Sequence, residues 1–575
     1  MQVLAKIIGS DPVMRTTSQE KIDHYERLGL WDNRTLMQAF DAAVTGTPDR
    51  AALIDPPNRA ALGFGTPLSL TYRTLDRQVE RLMARFHAAG LRQGDIVVLQ
   101  MPNFVEIVIA YLALARLGVI ISPVAMQYGR HELSGIAEIL EPAAYISIAS
   151  FKGAPYMAPH AQAFPGTVRR LAFGPQDGSA LDFIDSLPTD GKAADAAKAY
   201  AANLSHSPHD IFTICWTSGT TGTPKGVPRS HNHWFCIAAG TRYAARLRDG
   251  DCMVCPFPFI NMASVGGFLF NWLACRGTLV LHHPLDLPVF LGQMQDHKAT
   301  YSIVPPALLN MLLKDEALLQ RFDLSALRVI GSGGAPISPW AIQAFRDRLG
   351  VDIINMFGSN EGMSLVSDME NTPEPEKRAN LFPRFGGRGL SWANPVAAGI
   401  ETKLADPDTG AEITTPGVPG ELVIAGTTVF DGYFKSAASQ SSVFTADGFF
   451  RSGDLFEIDR DDPRYYRFLG RCKDIIIRGG MKISPDEIDQ LLLAHPKIAD
   501  AAVIGVADDI MGERICAVVV PRANETVTLD DITAYLRDKD IALFKLPERL
   551  ETVEALPRNA LGKILRRDLK DSLRR

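Results

Sequence analysis

The chain of 575 residues is too long for one hydrophobic core, so at least two domains are expected. At 46% hydrophobic and 22% charged residues, its composition is that of an ordinary soluble globular protein. A formal net charge of -6, with no block of Lys and Arg, excludes the basic field that holds nucleic acid and the polybasic segment that holds a membrane surface.

The opening segment, MQVLAKIIGSDPVMRTTSQEK, interrupts its short apolar start with charges and a proline, and lacks the apolar region and cleavage site of a secretory signal. Thr74 is expected to cap a helix whose Leu75, Val79, Leu82, Met83 and Phe86 share one face. Asp95 to Met101 reads as a short strand, followed by a turn at Pro102-Asn103 and a second helix. The most apolar stretch, Val105 to Met126, contains Arg116, Gly118 and Pro123, so it predicts a buried helix running into a strand rather than a bilayer span. Strand signals return at 299–305 and 327–330, and this alternation indicates α/β layers with largely parallel sheets. From about Gly417 to Phe468, short strands separated by Gly, Pro and Asp suggest a smaller β-rich subdomain.

A third texture begins near Arg471. Ser484 can cap a helix with Pro485 at its first position and Glu487 at its third, and Thr528 opens another helix similarly. Strands 501–506 and 515–520 lie between them. The expected architecture is α/β, with an N-terminal domain over residues 1–470 and an α+β C-terminal domain over residues 471–575.

Seven scattered cysteines argue against a disulfide framework and for a reducing, cytoplasmic compartment. Cys252 and Cys255 have CxxC spacing, but no second Cys or His pair lies near them in the sequence. Core packing is the expected role, because structural zinc takes four ligands.

The sharpest local signal is Thr217-Ser218-Gly219-Thr220-Thr221-Gly222-Thr223-Pro224-Lys225-Gly226, after the apolar run Ile211 to Trp216. Glycines let a backbone turn tightly and bring N–H groups close to an anion, and the hydroxyls and Lys225 add donors. A polyphosphate suits such a loop. It is not a Walker A loop, whose Gly-x-x-x-x-Gly-Lys-Ser/Thr order differs.

The loop resembles the signature of the adenylate-forming superfamily, which includes acyl- and aryl-CoA synthetases, peptide-synthetase adenylation domains and firefly luciferase. Gly331-Ser332-Gly333-Gly334-Ala335-Pro336 resembles its adenine-lining segment, and Phe357-Gly358-Ser359-Asn360-Glu361 its aromatic-Gly-x-Thr-Glu segment. Arg451-Ser452-Gly453-Asp454 resembles the ribose segment, Arg471-Cys472-Lys473-Asp474 with Gly479-Gly480 the hinge, and Pro557 to Lys563 the C-terminal lysine loop. The motifs follow the family's order.

The resemblance implies ATP-dependent attack of a carboxylate on the α-phosphorus, a reaction between anions that demands positioning and charge neutralisation. It assigns the β- and γ-phosphates to the 217–225 loop and Mg²⁺ to Glu361, since this hard cation prefers oxygen ligands. Phe357 would pack on adenine, with Gly333, Gly334 and Ala335 on the other side and Gly358 in the same cofactor-binding segment. Asp454 and Arg471 would bind the ribose region, and Lys563 would bridge carboxylate and α-phosphate. Asn360 stands where the family has Thr, which alters the expected α-phosphate contact while keeping a donor. Lys473 would be the hinge of a mobile C-terminal domain, whose rotation replaces Lys563 by Gly479 and Gly480 beside a pantetheine tunnel.

The resemblance places the acyl pocket at Trp234, 259–267, 305–308 and 362–364, including Phe259, Asn261, Ser264 and Gly362. Phe259 is followed by Ile260 and Asn261 where many relatives have Phe-His, so an aromatic, alicyclic or medium-length acid is expected. Asn261 could bond a substrate hydroxyl, as in dihydroxybenzoate-activating relatives; the stretch from Leu543 to Arg549 is also similar to theirs. Coenzyme A is the expected acceptor, because the chain carries no fused carrier domain after Lys563. Three alternatives remain: loading of a carrier-protein phosphopantetheine, a luciferase-like oxidoreductase, and a non-catalytic nucleotide binder. The acid and the oligomeric state are not legible.

Overall fold

The computed structural model describes residues 15–175, 181–218, 224–362, 364–436, 443–478, 481–508, 510–539, 541, 543–558 and 564–573. Two of its sheets have parallel interiors. An eight-stranded sheet runs in the order Ser364–Ser367, Asp352–Gly358, Val329–Gly333, Tyr301–Ile303, Cys252–Cys255, Thr278–Leu281, Ala51–Ile54, Ser69–Thr71. A seven-stranded sheet runs Pro224–Ser230, Ile211–Ser218, Ile120–Pro123, Ile96–Gln100, Ala144–Ile148, Arg169–Phe173, Asp182–Phe183. Antiparallel pairing is confined to the two edges of the first sheet and one edge of the second. Parallel strands covered on both faces need no polar alternation, which explains why every residue of Ile96–Gln100 is buried.

Helix Val105–Arg116 is apolar on nearly all sides because it lies in the core that both sheets share. The helix expected from Thr74 begins earlier, at Tyr72. Thr71 is extended and its hydroxyl accepts the Thr74 N–H at 3.2 Å, so Thr71 is the cap and Thr74 belongs to the first turn. Cys252 and Cys255 are buried in a central strand of the eight-stranded sheet. Among the described residues no helix is long and apolar enough to cross a membrane.

The β-rich part is a six-stranded antiparallel sheet: Leu381–Pro383, Tyr465–Arg471, Phe450–Ile458, Gly420–Gly426, Ile400–Ala405, Glu412–Ile413. It starts well before Gly417, because the earlier strands are recruited by long-range pairing; Ile400–Ala405 pairs along its whole length with Gly420–Gly426.

The last sheet holds Met481–Ile483, Ile476–Arg478, Gly512–Pro521 and Ile498–Asp508, with Arg549–Thr552 added parallel to Gly512–Pro521. Helices Pro485–Leu493 and Leu529–Asp538 contribute Ile488, Leu492, Ile532 and Leu536 to the core on one face. Leu569, from helix Arg566–Ser572, joins the cluster on the other. Thr528 and Asp531 form a capping box. Ser484 caps its helix, but the Glu487 carboxylate turns to Lys545 at 2.7 Å.

Candidate active site

The two ends of the anion loop pair as strands of a hairpin. Strand Ile211–Ser218 extends beyond Trp216, and Pro224-Lys225-Gly226 belongs to the returning strand, with Thr217 opposite Lys225. Cross-strand pairing thus absorbs both ends of the expected loop and leaves 219–223 between the strands. Gly219, Thr220, Thr221 and Gly222 lie outside the described residues, as do Gly479, Gly480 and Lys563.

Against this hairpin stands the turn that carries Glu361. Glu361 is 7% exposed, and its Oε1 accepts the Tyr433 hydroxyl at 2.9 Å. Thr217 stands close to the Tyr433 hydroxyl, and the Lys225 ammonium lies 4.8 Å from the centre of the Tyr433 ring. Burial, then the nearby Glu361 charge, drives the Tyr433 phenol far above its ordinary value, so it stays a donor. Four side chains spread over more than two hundred residues therefore meet at one place. Tyr433 was not singled out from the sequence; its signal was an aromatic after Gly432 with Lys435 two residues on. A carboxylate held this way, with its only hydrogen bond among the described residues at one oxygen, has donor chemistry that fits a hard divalent cation.

Asn360 uses its carboxamide on the protein. Its Oδ1 accepts the Met262 N–H at 2.9 Å and its Nδ2 donates to the Trp216 carbonyl at 3.1 Å. One side chain thereby ties the hairpin to the segment expected to bind the acid. Gly362 has φ +108, and a Cβ there would lie 1.8 Å from the Thr428 carbonyl oxygen. Only glycine fits this turn. Ser264 is buried, and Asn261 caps the short helix Met262–Ser264, its Oδ1 accepting the Ser264 N–H at 3.2 Å. A π-helical turn, Val265–Leu269, follows directly. Phe259 is buried and its carbonyl accepts the Tyr111 hydroxyl at 2.6 Å. Trp234 is fully buried, donates to Thr213 at 2.9 Å and lies behind Gly266.

Phe357 is half-buried, its ring against Phe382, Phe456 and Phe468 at 5.0–5.8 Å between centroids. Gly333, in the neighbouring strand, has no room for a Cβ, which would meet the Met356 carbonyl oxygen at 2.0 Å. Gly334, at φ +80, and Ala335 follow, and Gly358 ends the Phe357 strand. Asp454 and Arg471 face each other across two antiparallel strands, with Nε 2.9 Å from Oδ1. Glu421, also unforeseen, accepts the Gly453 N–H at 2.9 Å and pairs with Arg451 at 2.6 Å, fixing the turn before Asp454. Lys473 lies just after Arg471, in a turn where the N–H groups of Asp474 and Ile475 both bond the Arg471 carbonyl.

Residues 40–434 match the AMP-binding enzyme family, and residues 487–563 match the AMP-binding enzyme C-terminal domain. The chain belongs to the AMP-binding enzyme family. The medium-chain fatty-acid–CoA ligase of Escherichia coli (strain K12) is 30% identical to this family member over 97% of the chain and 94% of its own length. The 2,3-dihydroxybenzoate-AMP ligase of Bacillus subtilis (strain 168) is 29% identical over 96% of each. The crystal structure of ATP-bound MatB from Rhodopseudomonas palustris superposes with a TM-score of 0.74 at 25% identity, covering 94% of this chain and 99% of that one. This AMP-binding enzyme is thus an adenylate-forming ligase of the expected superfamily and architecture, which activates an acid at the expense of ATP.

Proposed function

We propose that the enzyme converts an aromatic, alicyclic or medium-length carboxylic acid into its acyl-adenylate and transfers the acyl group to coenzyme A, releasing AMP and pyrophosphate. The observation that carries the reading is the meeting of Thr217, Lys225, Tyr433 and Glu361 beside the Asn360 bridge to Met262. It brings an anion-binding hairpin, a carboxylate and the acid-binding segment into one neighbourhood. In this reading the hairpin holds the β- and γ-phosphates. Glu361 would hold Mg²⁺, which when bound neutralises phosphate charge. Phe357, Gly333, Gly334 and Ala335 enclose adenine, and Asp454 with Arg471 binds the ribose. Asn360 keeps the acid segment in register with the hairpin, and one N–H of its carboxamide beyond the Trp216 bond can reach the α-phosphate.

The 1–470 and 471–575 division, with Lys473 as hinge, supplies the second half-reaction in this reading. Lys563 serves adenylation and Gly479-Gly480 lines the thiol path after rotation. Coenzyme A as acceptor is supported by likeness to the medium-chain fatty-acid–CoA ligase. Asn261 favours a second reading: a cap residue whose amide nitrogen is left for a ring hydroxyl, as suits a relative named for 2,3-dihydroxybenzoate, with a carrier-protein thiol as acceptor.

The deciding experiment is acid-dependent exchange of pyrophosphate into ATP across a panel of carboxylic acids, followed by offering coenzyme A or a phosphopantetheinylated carrier. No exchange with any acid would remove the reading, and acyl transfer to the carrier alone would replace coenzyme A. Lys563→Ala should cut exchange by about 100-fold or more with ATP binding retained. Undiminished exchange in that variant would overturn the role of Lys563.

A further inference from the structure

Arg229 lies near the end of strand Pro224–Ser230 and is fully buried. Its Nε donates to the Asn360 carbonyl at 2.7 Å, Nη2 donates to the same oxygen, and Nη1 donates to the Thr428 carbonyl. The guanidinium lies 5.7 Å from the centre of the Trp234 ring. Among the described residues no ion pair joins it to a carboxylate: Glu361 and Asp431 act on it only through space, and Asp431 is already paired with Lys21 at 2.6 Å. Burial lowers the guanidinium to about 10, so it remains charged at neutral pH.

A buried cation with carbonyl partners alone is costly, and scaffolding by itself does not require it, since a neutral amide could also donate to a carbonyl. Its position gives a reason for the charge. The guanidinium clamps the Asn360 carbonyl from the buried side, and in a trans peptide the Glu361 N–H then points the other way. Two residues on, the Gly362 carbonyl accepts the Thr428 hydroxyl at 2.8 Å, so the same clamp reaches both ends of the turn through Thr428.

We propose that Arg229 is a positioning residue for adenylation: it fixes the 360–362 turn between the hairpin and the acid segment and lends that turn a permanent positive charge. The charge is preorganised for the step in which carboxylate and α-phosphate, both anionic, are brought together. Such a fixed charge in a water-poor site acts mainly on the transition state.

The proposal rests on adenylation being the reaction, so wild-type exchange with an accepted acid is the control; its absence would sink the proposed function itself. Arg229→Lys keeps the charge and loses the fork, whereas Arg229→Gln keeps donors and loses the charge. For folded variants, the Gln change should lower kcat for exchange by about 100-fold with KM for ATP and acid moved by less than about 5-fold, and the Lys change should stay within about 10-fold of wild type. Equal impairment of both, or a Gln variant with wild-type kcat, would overturn the charge role. Where the Gln variant does not fold, the Lys variant decides: retained exchange supports the proposal, and a loss beyond about 100-fold in a folded protein refutes it.

Discussion

Under the 359–362 turn lies Arg229, a cation bonded among the described residues only to carbonyls; under the 451–454 turn lies Glu421, a carboxylate shared between Arg451 and the Gly453 N–H. The second turn is electrically closed, since Asp454 is matched in its turn by Arg471. The first is not: among the described residues neither Arg229 nor Lys225 has an ion-pair partner, and Glu361 and Asp431 act on Arg229 only through space. On the proposed assignment the difference follows the ligand. Triphosphate and carboxylate are anionic and call for surplus positive charge, whereas a ribose is neutral and calls for fixed donors and acceptors without net field.

The largest expected effect comes from removing the space on which the first turn depends. Gly362→Ala would press a Cβ into the Thr428 carbonyl from a positive-φ backbone, costing more than about 4 kcal/mol or forcing the turn open. A variant with unchanged melting and exchange would contradict the geometry. The second turn should respond as a broken half-buried pair: Glu421→Gln is expected to cost about 2 kcal/mol and to raise KM for ATP about 10-fold with a smaller effect on KM for the acid. A larger effect on the acid would place Glu421 on the wrong side of the comparison.

A pH experiment probes the helix that follows the hairpin. His231 is buried, its Nδ1 accepts the Leu36 N–H at 3.2 Å, and burial lowers it to about 3. The unfolded chain therefore binds the extra proton first as pH falls below about 6.5, and stability is lost on acidification. This amounts to about 2 kcal/mol at pH 5 from this group, so the melting temperature should fall between pH 7 and 5. His231→Gln should flatten that slope, and an equally steep slope in the variant would exclude His231 as its source. The smallest change is Tyr433→Phe, which removes the hydroxyl on Glu361. It should cost about 1 kcal/mol and weaken exchange modestly, mostly through KM for ATP at low magnesium, if Glu361 holds the metal. Unaltered magnesium dependence would separate the tyrosine from that role.

Much of the site was legible because its motifs are local. A Gly-rich turn, an acid one or three residues after a glycine, and a capped helix each show their chemistry within ten residues, and their order along the chain identified the superfamily. The partners were not legible. Tyr433 reaches Glu361 across 72 positions and Arg229 reaches Asn360 across 131, and neither spacing leaves any periodic trace. The Thr74 cap failed for the opposite reason. Two threonines three residues apart compete for one helix start, and the backbone at Thr71 decides which serves.

By itself, the sequence determined the layered α/β class, the adenylate-forming chemistry and the residues that are candidates to touch ATP, because strand alternation, capping and glycine-rich turns are written in short windows. Only the tertiary structure decided that both ends of the anion loop pair as strands of a hairpin, that Asn360 spends its amide bridging Trp216 to Met262, and that, among the described residues, one turn rests on a cation without an ion pair while the other rests on a neutralised pair. Those outcomes depend on close packing between segments far apart in the chain, where burial sets the cost of every charge and hydrogen bond.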